Sequence, residues 1–193
     1  HEGFFSNPRR LGAQRHMDNT DIRNLLERVE AGEMSAADAL SQMAPAEDDL
    51  GFARVDLDRA ARCGTPEVIY CPGKTSAQVA TILKSLSAAG QNVLASRATP
   101  EMYQAVRESV PEAAYNADAR LITCIQTPPD LIGHVSVVCA GTSDIPVAEE
   151  AALTAEVMGA YVERIYDVGV AGIHRLMRRV PDLMKANVVI AVA

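Results

Sequence analysis

The run from Val135 to Glu150, VSVVCAGTSDIPVAEE, constrains the fold more than any other part of this chain. Val135 to Ala140 is a short apolar segment rich in β-branched residues, which suits a central strand covered on both faces. The chain then breaks at Gly141. Thr142, Ser143 and Asp144 can each cap a helix, Pro146 fits a helical first turn, and Glu149 and Glu150 lie toward the positive end of the helix dipole. A strand whose carboxyl end feeds a helix amino end leaves unpaired N–H groups in the crevice where α/β sheets hold phosphorylated ligands.

The same grammar returns about 20 residues later. Tyr161 to Asp167 alternates like a strand, Val168-Gly169-Val170-Ala171-Gly172 is a loop of small residues, and Ile173-His174-Arg175-Leu176 opens a helix. A third strand, Asn187 to Ala193, follows. Strand, loop and helix repeated in this order predict a doubly wound parallel sheet of flavodoxin-like type over 131–193.

Upstream, Glu67 to Cys71 reads as a strand, Ser76 to Ala89 as a helix closed by Gly90, and Asn92 to Ser96 as a strand ending at Arg97. Thr99-Pro100-Glu101 begins a helix reaching about Val110, and Arg120 to Ile125 is a further strand. Thr127-Pro128-Pro129-Asp130 interrupts the pattern and marks a boundary. The expected fold class is therefore α/β, with a small N-terminal α/β domain over 46–127 ahead of the C-terminal sheet. Residues 17–45 predict a helical hairpin: Ile22, Leu25, Leu26 and Val29 recur at helical spacing, and Ser35-Ala36-Ala37-Asp38 resembles a capping box. Ala44 to Asp49 reads as an acidic, exposed connector. His16-Met17 resembles a vector junction, so 1–16 is expected to be a tag. Because the chain stops within an apolar strand at Ala193, the C-terminal sheet is expected to be truncated there.

The candidate site residues come from the two loops. Gly141, Thr142, Ser143 and Asp144 combine a turn, hydroxyls and helix amides, which suits an anion. A phosphate would repel Asp144 unless a ribose hydroxyl or a metal such as Mg²⁺ lay beside it, and its alternative is simple helix capping. In the second loop, Gly169, Ala171 and Gly172 allow backbone to approach a ligand. Arg175 can fork onto phosphate or carboxylate, His174 can exchange a proton near neutrality, and Asp167 sits at a strand's carboxyl end. His134, before the core strand, reads as structural. Gly73-Lys74-Thr75 is not a Walker motif, since Val68 stands where the first glycine belongs. Lys74 reads as an anion contact or a solvated lysine, and Arg59 and Arg62 as solvated ion pairs or as reaching a phosphate or subunit interface.

These loops carry a resemblance. Gly141-Thr142-Ser143-Asp144 and Ala171-Gly172-Ile173-His174-Arg175 resemble the Gly-Ser-x-Ser-Asp and Ser-Ala-His-Arg loops of the aminoimidazole ribonucleotide carboxylase (PurE-like) superfamily. The fuller wording AGTSDIPVAEEA and YDVGVAGIHRL is closer to the LarB family of pyridinium-3,5-biscarboxylic acid mononucleotide synthases, and the likeness extends through Leu50-Gly51-Phe52-Ala53, Gly64 to Tyr70 and Gly73-Lys74. It covers nearly all of 20–193.

The resemblance implies carboxylation of the pyridinium ring of nicotinic acid adenine dinucleotide (NaAD) with CO₂ or bicarbonate, and hydrolysis of the phosphoanhydride to release AMP. This is a step toward the nickel-pincer nucleotide, with no covalently bound cofactor. It further implies a homo-oligomer, with a PurE-like octamer as one form. The family's cysteine nucleophile and its acidic partner in a Gly-Met-Glu-Gly segment fall downstream of a strand matching 187–193, so the catalytic residues are not assigned to any residue here. The alternatives are a carboxylase or mutase of an aminoimidazole ribonucleotide, from which the second loop departs by one inserted residue and by Gly172, and a non-catalytic nucleotide-binding module.

Charge and composition agree with a small-molecule nucleotide as partner. A formal charge of −7 argues against an electrostatic nucleic-acid binder. No apolar run approaches the roughly 20 residues of a bilayer span and no signal peptide is evident, so the expectation is a cytoplasmic protein without membrane contact. Cys63, Cys71, Cys124 and Cys139 lack metal-site spacing and read as buried free thiols, with a reactive or regulatory role as the alternative.

Overall fold

The computed structural model describes residues 19–43 and 47–193, together with the backbone but not the side chains of Asn19, Ala61 and Arg62. The segment 1–16, expected to be a tag, lies outside the described residues. The described residues open with α1 (Asn19–Glu30) and α2 (Ala36–Met43). The Ser35 hydroxyl accepts from the Asp38 N–H at 3.1 Å and donates to its carboxylate at 2.6 Å, capping α2.

The acidic connector is a correction. Glu47–Asp49 is strand β1, paired antiparallel with β2 (Arg54–Asp56). The charges conceal the strand because it is a two-stranded edge facing water, where acidic side chains are tolerated. Its turn is built by Asp49, whose carboxylate accepts from the Gly51 N–H at 2.9 Å while Gly51 takes a left-handed φ of 80°. Asp48 ties the hairpin to the body by accepting from the Ser85 hydroxyl at 2.5 Å. The short α3 (Arg59–Cys63) follows.

A four-stranded sheet comes next, in the order β3-β4-β6-β5, from β3 (Val68–Tyr70), β4 (Val93–Ser96), β5 (Ala114–Asn116) and β6 (Leu121–Cys124). Only β3 and β4 are parallel; β6 runs antiparallel to both β4 and β5. Helices α4 (Ser76–Ala88) and α5 (Pro100–Ser109) cover one face. Thr75 closes a reciprocal capping box with Gln78 at the start of α4, and Thr99 caps α5 ahead of Pro100. Strand alternation divides the packing. Val93 and Ala95 join Val79, Leu83, Leu86 and Val106 in a core beneath the two helices, while Leu94 points to the other face with Leu121.

That other face is covered from the C-terminal half. Strand β7 (His134–Cys139) leads through a 3-10 turn at Thr142–Asp144 into α6 (Ile145–Val157), then β8 (Tyr161–Ile165), α7 (Ile173–Leu183) and β9 (Val188–Val192). The three strands are parallel in the order β8-β7-β9, so β7 is central as expected. Val157 and Leu153 of α6 pack on Leu94, Ala119 and Leu121, while Ala148 and Ala152 of the same helix pack on Val137 and Cys139. A helix buried from two sides should be apolar around most of its circumference, which is how IPVAEEAALTAEV reads apart from its glutamates.

Because β7 steps to β8 on one side and β8 crosses to β9 on the other, right-handed crossovers place α6 and α7 on opposite faces. The ion pairs agree: Arg164 of β8 reaches Glu149 and Glu156 of α6, whereas its neighbour Glu163 reaches Arg179 of α7. Among the described residues no helix is long and apolar enough to cross a membrane.

Candidate functional site

The two loops leave adjacent strand ends and are joined to each other. Val168 N–H donates to the Cys139 carbonyl at 3.1 Å and Gly169 N–H to the Ala140 carbonyl at 2.9 Å. Since α6 and α7 depart on opposite faces, the crevice between their starting points lies where ligands settle in open α/β sheets. Thr142, Ser143, Asp167, Ala171 and His174 are all exposed on this edge. The loop from Gly141 to Asp144 is therefore open to solvent and not packed away.

The first loop is held by its own acid. Asp144 Oδ2 accepts from the Gly141 N–H at 2.8 Å, Asp144 N–H returns to the Gly141 carbonyl at 3.1 Å, and the Ser143 hydroxyl lies 3.4 Å from Oδ1. The amides of Thr142 and Ser143, at the start of the turn, have no earlier turn to donate to. Among the described residues no group of three or more His, Cys, Asp or Glu could by itself hold a metal ion.

In the second loop the glycines serve the protein's own groups. A Cβ on Gly169 would stand 2.7 Å from the Ala140 carbonyl oxygen, and one on Gly172 would meet Arg175 Nε at 2.6 Å. What stands against these glycines within the chain is backbone in one case and the Arg175 guanidinium in the other. Folded over Gly172, Arg175 donates through Nη1 to Asp167 Oδ2, and its Nε is buried without a partner among the described residues. Asp167 has a left-handed φ of 58°, uncommon outside glycine but tolerated by aspartate. Asp167, Gly172 and Arg175 thus form one unit.

The structure adds a network that the sequence reading passed over. Glu149 of α6 accepts from the Tyr166 hydroxyl at 2.8 Å and from Arg164 Nε at 3.1 Å, while Arg164 also reaches Glu156 at 2.5 Å. Burial first, and then the Glu149 hydrogen bond, push the Tyr166 phenol well above its ordinary range. The Arg164 guanidinium is held charged, chiefly by its hydrogen bond to Glu156. A signal existed: Glu149 and Glu156 lie two turns apart on one helix face, and Arg164 and Tyr166 lie two apart on one strand face.

Other singled-out residues fall elsewhere. His134 begins β7, at the end away from the loops, with its ring edge-on to Tyr161 and Nε2 3.3 Å from Glu163 but not aligned for a hydrogen bond. Lys74 Nζ donates to the Tyr70 carbonyl at 2.7 Å, and Arg59 stands 3.5 Å from Glu67. The Arg62 side chain lies outside the described residues. Three of the cysteines are buried, but Cys63 is exposed at the end of α3, against expectation, because a five-residue surface helix offers nothing to cover it. Cys139 lies directly under the first loop with its thiol 3.5 Å from the Gly141 carbonyl, inside the core.

A three-stranded parallel sheet, coupled through a shared helix to a four-stranded mixed sheet, gives an α/β protein consistent with a PurE-like, flavodoxin-like fold. Residues 47–127 match the LarB/PurE-like N-terminal domain. The chain is also similar to an uncharacterized protein of Methanocaldococcus jannaschii, with 33% identity over 144 residues, 70% of this chain. It spans 56% of that relative's length.

Proposed function

We propose that this chain binds NaAD through the loops 141–144 and 167–175 as part of an enzyme that carboxylates its pyridinium ring and cleaves its phosphoanhydride. A LarB/PurE-like domain points to carboxylase-related chemistry; the pyridinium substrate is the finer reading. The observation that supports it is the hydrogen-bonded junction of the two loops at Ala140 and Gly169, set at strand ends from which two helices diverge. The Thr142 and Ser143 amides and the free edge of the Arg175 guanidinium would hold the phosphates. Asp144 keeps lone pairs for a ribose hydroxyl, and exposed His174 borders the same crevice. The substrate is a small nucleotide, with bicarbonate or CO₂ as co-substrate and a homo-oligomer as the working form.

The chemistry balances without a redox partner. A thiolate adds to the pyridinium and gives a neutral dihydropyridine, whose enamine carbon attacks CO₂. Loss of the ring proton and expulsion of the thiolate then restore the aromatic cation, splitting one hard step into easier ones. Water cleaves the phosphoanhydride, giving AMP and the biscarboxylated mononucleotide. No thiolate is assigned within this chain: Cys139, the cysteine nearest the loops, is buried in the core. That burial favours a second reading, nucleotide binding without turnover.

Incubation of the full-length protein with NaAD and bicarbonate followed by mass analysis tests the proposal, this chain by itself being expected to bind without turnover. AMP with a dicarboxylated mononucleotide supports it, saturable binding without product supports the second reading, and turnover of an aminoimidazole ribonucleotide in its place would overturn both. Asp144→Ala and Arg175→Ala are each expected to weaken NaAD binding by about 1–3 kcal/mol, the worth of a charged hydrogen bond. Unchanged affinity in both removes the site.

A further inference from the structure

Away from the loops, a cavity of about 380 Å³ runs along the outer edge of β3, between that strand and β2. Its volume is in the range of small-ligand pockets. Val55 and Ile82 give it an apolar wall, Tyr70 an aromatic one, and Arg59 and Lys74 converge on it from different elements. Those two cations stand 15 residues apart in the chain, and nothing in their spacing announces that they meet. No residue from 141–175 lines this space, so it is distinct from the site described above.

The cations are not saturated by their own partners. Arg59 approaches Glu67 only to 3.5 Å and Arg54, a third lining cation, approaches Asp49 only to 3.8 Å, both at exposed positions where ion pairs are weak. Lys74 has three N–H donors and spends one on the Tyr70 carbonyl. Three cations, Arg54, Arg59 and Lys74, stand beside the two lining carboxylates, Asp56 and Glu67, with Asp49 paired to Arg54 just outside. Tyr70 is half exposed, and its ring is fixed from one side by Arg97, whose guanidinium lies 5.6 Å from the ring centroid and donates to its hydroxyl at 3.4 Å. Arg97 itself takes a left-handed φ of 54° at the end of β4 and lies 4.0 Å from Glu150 of α6. An oriented aromatic ring beside unsaturated cations is the pairing that recognises a planar base carrying a phosphate.

We infer that this cavity is a second ligand site for a nucleoside monophosphate, with the phosphate on Lys74 and Arg59 and the base against Tyr70. The site stands whether or not the loops 141–175 take NaAD.

Calorimetric titration of the chain with AMP, in low salt, tests it. Saturable binding is expected, weakened about tenfold by Lys74→Gln and by Arg59→Gln, the loss of one charged hydrogen bond. Arg59→Gln leaves the β3 carbonyls untouched, so it separates lost contact from lost folding. Tyr70→Leu should weaken AMP but leave ribose 5-phosphate unchanged, and Arg175→Gln should leave AMP binding intact. Absence of saturable binding would overturn the inference. So would binding that Arg175→Gln abolishes and Lys74→Gln spares, which would place AMP in the loops.

Discussion

Replacing Gly169 by alanine probes the junction on which the proposed site rests. At Gly169 φ is −60° and ψ 156°, a conformation any L-residue adopts, so backbone preference predicts little cost. The contact predicts otherwise. The new Cβ would lie 2.7 Å from the Ala140 carbonyl oxygen, about 0.7 Å inside the 3.4 Å at which ordinary contact begins. The obstructing atom is backbone in the last turn of the strand-to-loop junction and cannot rotate aside. It also accepts the Gly169 N–H at 2.9 Å, and opening the gap by that amount stretches the bond beyond useful length. Losing one hydrogen bond costs about 1 kcal/mol and overpacking roughly 1–3 kcal/mol, so the expected destabilisation is ~3 kcal/mol. For a chain of this size that lowers Tm by roughly 6–12 °C. Thermal unfolding followed by circular dichroism measures it, with NaAD titration in parallel, which should weaken as the loops part. Gly141→Ala is the control: its Cβ would meet only Asp144 Oδ2, at 3.7 Å, with φ at −142°, and stability should change by less than ~0.5 kcal/mol. A Gly169→Ala melt within 2 °C of the parent, or a control equally damaged, refutes the steric account.

Gly172→Ala should fold nearly as well as the parent yet lose ligand affinity, because its Cβ meets the movable Arg175 side chain and not backbone; parallel melts and NaAD titrations separate the two effects. Ser136→Ala is expected to be neutral or stabilising by up to ~1 kcal/mol in urea titration, since the Ser136 hydroxyl is fully buried in β7 and meets no hydrogen-bond partner among the described residues. Alkylation with iodoacetamide at neutral pH, read by peptide mass, should modify Cys63 and spare the three buried thiols. Burial pushes the Cys71 thiol from 9.0 up to about 11, outweighing the opposing charge of Lys74. The raised value favours the protonated folded form, so its contribution to stability is intact below pH 9 and declines as pH rises toward 11.

Much of the fold was legible because local rules sufficed. The strand, glycine turn and capped helix around 135–150 are written in consecutive residues, as are Thr75 and Thr99 at their helix starts. What stayed hidden depends on partners distant in sequence. Glu47–Asp49 looks like a linker until Arg54–Asp56 is placed beside it, and Ala114–Asn116 is too short to show alternation. Nor does a local pattern reveal that β6 runs antiparallel to β4. For the candidate site, the sequence singles out both loops as stretches, but not that the Ala140 backbone and the Arg175 side chain stand against Gly169 and Gly172.

The placement of α6 links these observations. Its first turn carries the loop 141–144, its Ala148 and Ala152 seat it on the parallel sheet, and its Val157 and Leu153 seat it on the mixed sheet beneath β4 and β6. Glu149 and Glu150, adjacent in sequence, point to different halves: Glu149 to Arg164 and Tyr166 of the parallel sheet, Glu150 to Arg97 at the end of β4. Any shift of the mixed sheet therefore moves the helix that positions the first loop. Leu121→Ala, a truncation costing about 2–5 kcal/mol at a fully buried position, should raise hydrogen exchange in β7 and α6 as well as in its own sheet. Exchange confined to β4 and β6 would mean that the two sheets open independently and that α6 does not couple them.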